Sequence, residues 1–181
     1  MRPEKILSSK VVFSGHLKLR VDTVEMPDGR LTTREVVEHA PCIAVIPVDA
    51  EDNVLLVSQY REAVDRELLE IVAGSIDPGE DADTAAKREM QEEAGYLPQK
   101  LVSLGGYYLA PGYSTEFMHL YLATGLTPSR LTAEDTEGIK VVRVPVKKIS
   151  DLLTSGKISD GKSIAGLYMF LEYRKNNPKS Q

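Results

Sequence analysis

The sequence predicts an α/β protein in which a mixed sheet is covered by helices and preceded by an antiparallel β-region. Three observations carry that reading. Segments rich in Val, Ile, Leu and Thr recur from Lys10 to Val72 and again from Leu101 to Val144. The run Ala82–Ala94 holds no Gly, no Pro and no β-branched residue except Thr84, so it favours a helix. In Val146–Thr154 and Ile164–Arg174 apolar residues fall three and four apart, the period of a helix with one buried face.

Taken in order, Lys10–Phe13 and Leu17–Val24 flank Ser14-Gly15-His16 and read as a hairpin. Pro27-Asp28-Gly29 makes the next turn and Leu31–Glu38 the next strand. Cys42–Val48 and Val54–Gln59 are apolar strands divided by the turn Asp49–Asn53, and Leu68–Val72 is a short buried strand. Asp81 or Asp83 caps the helix that follows, and Gly95 is placed to end it. Leu101–Leu109, Glu116–Thr124 and Lys140–Val144 complete the strands, and Asp160 or Ser163 caps the last helix. The division expected is a β-region over 1–39, a catalytic domain over 40–176 and a frayed tail over 177–181.

A chain of 181 residues can bury a core without disulfides or metals, and 42% hydrophobic with 27% charged residues is ordinary for a globular protein. The formal charge of −5, without a Lys/Arg block, argues against a nucleic-acid partner. No apolar run reaches the ~20 residues of a membrane span, and the start lacks the apolar stretch of a signal peptide. The single cysteine, Cys42, excludes an internal disulfide and fits a cytoplasmic protein; within its apolar run it reads as a buried strand residue. His16, His39 and His119 are scattered singly and read as structural or solvated.

The chemistry concentrates in residues 74–96. On the helix Ala82–Ala94, Glu89 stands three residues before Glu92 and four before Glu93, so the three carboxylates share one face. Like charges so placed repel by roughly 0.2–0.5 kcal/mol per pair, so a helix that keeps them together points to a cation over them. Hard divalent ions such as Mg²⁺ take oxygen ligands, commonly one or two carboxylates plus substrate phosphates. A solvated acidic face with an Arg88–Glu92 pair would explain the charges alone. It would not explain the turn-rich loop Gly74-Ser-Ile-Asp-Pro-Gly79 that leads into the helix.

This stretch resembles the Nudix box: Gly, five residues, Glu, seven residues, Arg-Glu, an apolar residue, any residue, Glu-Glu, any residue, Gly, then an apolar residue. Gly74, Glu80, Arg88, Glu89, Met90, Glu92, Glu93, Gly95 and Tyr96 occupy those positions. The resemblance implies a Nudix-type α/β/α sandwich and hydrolysis of a nucleoside diphosphate linked to another moiety. It implies that Glu89, Glu92 and Glu93 bind metal, that Arg88 orients them, and that the loop at Ala73 and Gly74 offers a backbone carbonyl. Mg²⁺ is the expected ion, with Mn²⁺ as the alternative.

Segments outside the box resemble the ADP-ribose pyrophosphatase subfamily. They are Gln59-Tyr60-Arg61, the lead-in Leu68–Gly74, Leu109-Ala-Pro-Gly-Tyr-Ser-Thr-Glu116 and Gly156–Ser163. Pro111 and Glu116 are thereby implied in substrate binding. Tyr113 lies near the position of a tyrosine found in dinucleoside polyphosphate hydrolases, which keeps that class and other nucleoside diphosphate sugars as alternatives. Arg61 is suited to a diphosphate through its planar fork, and Glu70 to ribose hydroxyls or a backbone donor. Tyr107, Tyr108 and Tyr113 suit the core better than adenine stacking. Hydrolysis also needs a base. By resemblance Glu137 is favoured, with Glu134, Asp135 or a box glutamate as alternatives. A two-stranded hairpin is marginal alone, so the 1–39 region needs a partner, and the resemblance implies a homodimer. From another functional class, a nucleotide-sensing domain that does not cleave is the alternative.

Overall fold

The structure is a computed structural model and describes residues 4–133, 136 and 138–178. The chain divides into two units, Met1–Pro41 with Tyr108–Phe117, and Cys42–Tyr107 with Met118–Gln181.

In the first unit three antiparallel strands, β1 (Lys5–Ser14), β2 (Lys18–Glu25) and β3 (Leu31–Glu38), lie in sequence order. Gly29, at a φ of 80°, supplies the left-handed turn residue between β2 and β3. Strand β1 is exposed along its whole length, with Val11 at 53% and Phe13 at 61%. The segment Tyr108–Phe117 joins this unit because β3 bridges to it: Val37 N–H donates to the Tyr113 carbonyl at 2.7 Å and Thr115 N–H to the Val37 carbonyl at 3.0 Å.

The second unit carries two sheets. Strands β10 (Lys140–Pro145), β5 (Asn53–Arg61) and β6 (Arg66–Glu70) form an antiparallel sheet in that order. The other, in the order β7 (Val72–Ser75), β4 (Cys42–Pro47), β9 (Phe117–Pro128), β8 (Tyr96–Tyr108), is mixed: β4 pairs antiparallel with β7 and parallel with β9. Every residue of β4 is buried, as expected for a strand covered on both faces. Its core partners include Val57, Val72, Met90 and Ala123, with Ala85 and Ala86 of helix α1 (Ala82–Glu89). Helix α2 is Val146–Thr154, and helix α3 runs Gly161–Asn176. A β-carbon on Gly166 would stand 2.9 Å from Ile71 Cδ1 and 3.0 Å from Leu120 Cδ1, so glycine here sets how closely α3 packs. No helix among the described residues is long and apolar enough to cross a membrane.

Strands β1, β8 and β9 run longer than expected, and two further differences bear on the site. The single strand expected over Leu68–Val72 is two, because the chain changes sheets at Ile71: β6 pairs with β5 and β7 with β4. The Ile71 N–H is satisfied by Ser163 Oγ at 2.9 Å instead of a strand neighbour. The helix expected over Ala82–Ala94 is α-helical to Glu89 and widens into a π turn over Met90–Ala94. That turn moves Glu92 and Glu93 from their regular α-helical angles, and such turns are frequent at functional sites.

Candidate active site

Asp81 caps α1, its side chain accepting from the Thr84 N–H at 2.9 Å, and Gly95 ends the π turn at a φ of 78°. Between these caps stand Arg88, Glu89, Glu92 and Glu93.

Glu89 is nearly buried and lies against Gly74, where a β-carbon would stand 2.0 Å from its carboxylate carbon. Glycine at this position is a steric requirement of the glutamate. Glu93 is buried, and its Oε2 accepts the Ala73 N–H at 3.1 Å. Burial pushes its carboxyl up to about 8; the neighbouring Glu89 adds to the rise, and the Ala73 hydrogen bond, Arg61 and Lys162 oppose it.

Arg88 ties the group together. Its Nη1 donates to Glu89 at 2.7 Å and to Glu92 at 3.1 Å; its Nη2 donates to the Ser75 carbonyl at 2.9 Å and to Glu80 at 3.0 Å. Its Nε donates to the other Glu80 oxygen at 3.1 Å. The bond to Glu80, foremost, keeps Arg88 charged, and the same bond holds Glu80 below the usual carboxylate range. Glu80 also accepts the Asp77 N–H at 3.1 Å, closing the loop that enters the helix. Sequence reasoning noted Glu80 without a role; its spacing from Arg88 was the available signal.

Four carboxylates, from Glu80, Glu89, Glu92 and Glu93, are thus assembled, and a single guanidinium contacts three of them directly. Glu89, whose carboxylate lies over Gly74, and Glu92 and Glu93 offer hard oxygen donors of the kind that could hold a divalent cation.

Beside it lies a second group. Arg61 donates from Nε and Nη2 to the two oxygens of Glu70 at 2.8 and 2.7 Å. Glu70 is 1% exposed and also pairs with the Lys162 ammonium, which reaches Asp160 at 2.9 Å. Burial alone would raise Glu70, but the Arg61 fork and the Lys162 charge hold it below the usual range. The carboxylate therefore faces two cations, where ribose or a backbone donor was expected. Lys162 lies within the segment Gly156–Ser163 but was given no role, although a cation in the first turn of α3 runs against the helix dipole and invites an explanation.

Arg61, Glu70, Ala73, Arg88, Glu89, Glu92 and Glu93 all belong to the second unit. Pro111 and Glu116 belong to the first, Pro111 exposed and Glu116 half-buried. Glu134, Asp135 and Glu137 lie outside the described residues. Tyr107 donates its hydroxyl to the Lys162 carbonyl at 2.7 Å. Tyr108 and Tyr113, expected in the core, are 58% and 62% exposed, and Tyr108 packs edge-on against Phe117.

A family model described as the NUDIX domain matches residues 38–167, and one described as the nucleoside diphosphate sugar hydrolase N-terminal domain matches residues 4–37. The chain is 32% identical over 163 residues to an ADP-ribose pyrophosphatase of Bacillus subtilis, covering 88% of each. It is 36% identical over 165 residues to an ADP-ribose pyrophosphatase of Mycobacterium tuberculosis, covering 89% of this chain and 80% of the relative. A methanol dehydrogenase activator of Bacillus methanolicus is 33% identical, with 89% of each covered. A crystal structure of an ADP compounds hydrolase superposes with a TM-score of 0.89 over 97% of this chain and 96% of that one; at 24% identity it speaks for the fold.

Proposed function

The chain belongs to the Nudix family, and we propose that it is a hydrolase that cleaves the pyrophosphate bond of ADP-ribose to AMP and ribose 5-phosphate, with Mg²⁺ as the metal. The observation that carries this reading is the carboxylate face of Glu89, Glu92 and Glu93, braced by Arg88 and seated on Gly74. The names of relatives matched along most of the chain support ADP-ribose as the substrate.

Glu89, Glu92 and Glu93 would hold the cation, Mg²⁺ or Mn²⁺, with the loop at Ala73 beside them. Such an ion neutralises charge on a diphosphate and activates water. Arg88 keeps Glu89 and Glu92 oriented, and Glu80 keeps Arg88 in place. Arg61 presents Nη1, which makes no hydrogen bond among the described residues, to a phosphate oxygen of the substrate. Glu116 and Pro111 contribute to substrate binding. Glu137 takes the proton from the attacking water, with Glu134, Asp135 or a box glutamate as the alternative base.

A second reading, hydrolysis of other nucleoside diphosphate sugars, draws support from the family that matches residues 4–37. We also propose a cytoplasmic homodimer formed through the 1–39 region. A lone cysteine outside any disulfide supports the compartment, and the exposed apolar residues of β1 support the assembly.

Chromatographic separation of products tests the activity. Equimolar AMP and ribose 5-phosphate from ADP-ribose, formed with Mg²⁺ and abolished by EDTA, is the expected result. Binding of ADP-ribose without cleavage would overturn it in favour of a sensing domain.

A further inference from the structure

The buried group around Glu70 holds a residue to which nothing above gives a task. Lys162 is 9% exposed, sits in the first turn of α3, and carries a positive charge where the helix dipole disfavours one. A buried ammonium in such a place costs stability unless it is fully paired. It is paired with Glu70 and Asp160, and its backbone is pinned by the Tyr107 hydroxyl at 2.7 Å. Asp160 is itself engaged in capping α3, accepting the Ser163 N–H at 2.9 Å.

The consequence falls on Arg61. Glu70 Oε2 is shared between Arg61 Nη2 and Lys162, so the carboxylate is anchored from both sides and the guanidinium has one orientation. In that orientation Nε and Nη2 face inward, while the Arg61 side chain as a whole remains 40% exposed. Without Lys162, Glu70 would be a buried carboxylate neutralised by Arg61 alone, and the guanidinium would be spent on it. With Asp160 counted, the two cations and two carboxylates of the group balance, so what Lys162 gives Arg61 is a second anchor on Glu70 that fixes the direction of the fork.

We propose that Lys162 is a positioning residue for substrate binding: through Glu70 it holds Arg61 oriented toward the diphosphate, without touching the substrate itself. This rests on the reading of Arg61 as a diphosphate ligand.

The test is steady-state kinetics on ADP-ribose with saturating Mg²⁺ for K162Q, K162R, R61A and R61A/K162Q, with Tm measured alongside. Lys162→Gln retains donors but removes the charge, and is expected to raise KM about tenfold while kcat changes by less than about threefold. K162R should return KM to within about threefold of wild type, and K162Q should add nothing in the R61A background. A purely structural role would lower Tm and leave KM in place. If R61A itself leaves KM unchanged, the reading of Arg61 falls. If R61A raises KM but K162Q does not, or K162Q keeps its full effect without Arg61, only the role of Lys162 falls. Should K162Q not fold, E70Q/K162M removes both buried charges together; a wild-type KM in that variant overturns the proposal and a raised one supports it.

Discussion

Glu89 occupies the space that a side chain at residue 74 would need: a β-carbon on Gly74 would lie 2.0 Å from both the carboxylate carbon and Oε1 of Glu89. Because the obstructing atoms are the far end of a flexible side chain, Gly74→Ala should displace the carboxylate and leave the backbone intact. The expected outcome is a fall in kcat of at least ~10² with circular dichroism unchanged, because a transition-state contribution is lost and the fold is not. Full turnover in G74A would remove Glu89 from the working site.

Arg88 bonds at once to Glu80, Glu89, Glu92 and the Ser75 carbonyl. A lysine has one nitrogen and cannot span four partners. Arg88→Lys should therefore lower kcat by about tenfold or more and weaken the apparent affinity for Mg²⁺, read from metal titrations of activity. Unchanged metal dependence would show that the fork is dispensable.

The carboxyl of Glu93 is raised from 4.5 to about 8 in the protein without metal. A raised folded value means the native state holds a proton that the unfolded chain gives up. This contribution to stability is complete below pH 4.5 and is lost as pH rises from 4.5 to about 8. Melting in EDTA should show that decline, and Glu93→Gln should flatten it. Mg²⁺ should restore stability at pH 8 in the wild type and much less in E93Q. A Tm in EDTA that does not depend on Glu93 across this range would contradict the assignment.

Much of this site was legible because its logic is local. Glu89, Glu92 and Glu93 are near neighbours on a segment whose composition specifies a helix, and Asp81 and Gly95 mark its ends. The hairpin of β1 and β2 follows from the turn residues Ser14-Gly15-His16 between two β-rich segments, and the wholly apolar β4 from its run length. What escaped is non-local. The break at Ile71 depends on Ser163, and the task of Glu70 on Lys162, each pair 92 residues apart in the chain. In Leu68–Val72 only Glu70 interrupts the apolar run, and composition does not show that one sheet ends there and the next begins. Tyr113 is exposed in a loop that bridges to β3 through Ser114, a pairing invisible to composition, and Tyr108 is exposed at the end of β8.

Strand β1 leaves Ile6, Leu7, Val11, Val12 and Phe13 between 46% and 61% exposed. An exposed apolar strand is a template for association. Light scattering at micromolar protein should give twice the 20.0 kDa chain mass, and a double V11K/F13K substitution should shift it to the monomer. A monomeric wild type would exclude the proposed dimer.

The central claim is hydrolysis of ADP-ribose by the carboxylate face on α1 and its π turn. It is tested most directly by kcat/KM with Mg²⁺ across ADP-ribose, GDP-mannose, other nucleoside diphosphate sugars, NADH and diadenosine polyphosphates. The account predicts that ADP-ribose ranks first and that Glu93→Gln lowers its turnover by at least ~10². Another substrate cleaved with clearly higher kcat/KM, or near-normal turnover in E93Q, would contradict it.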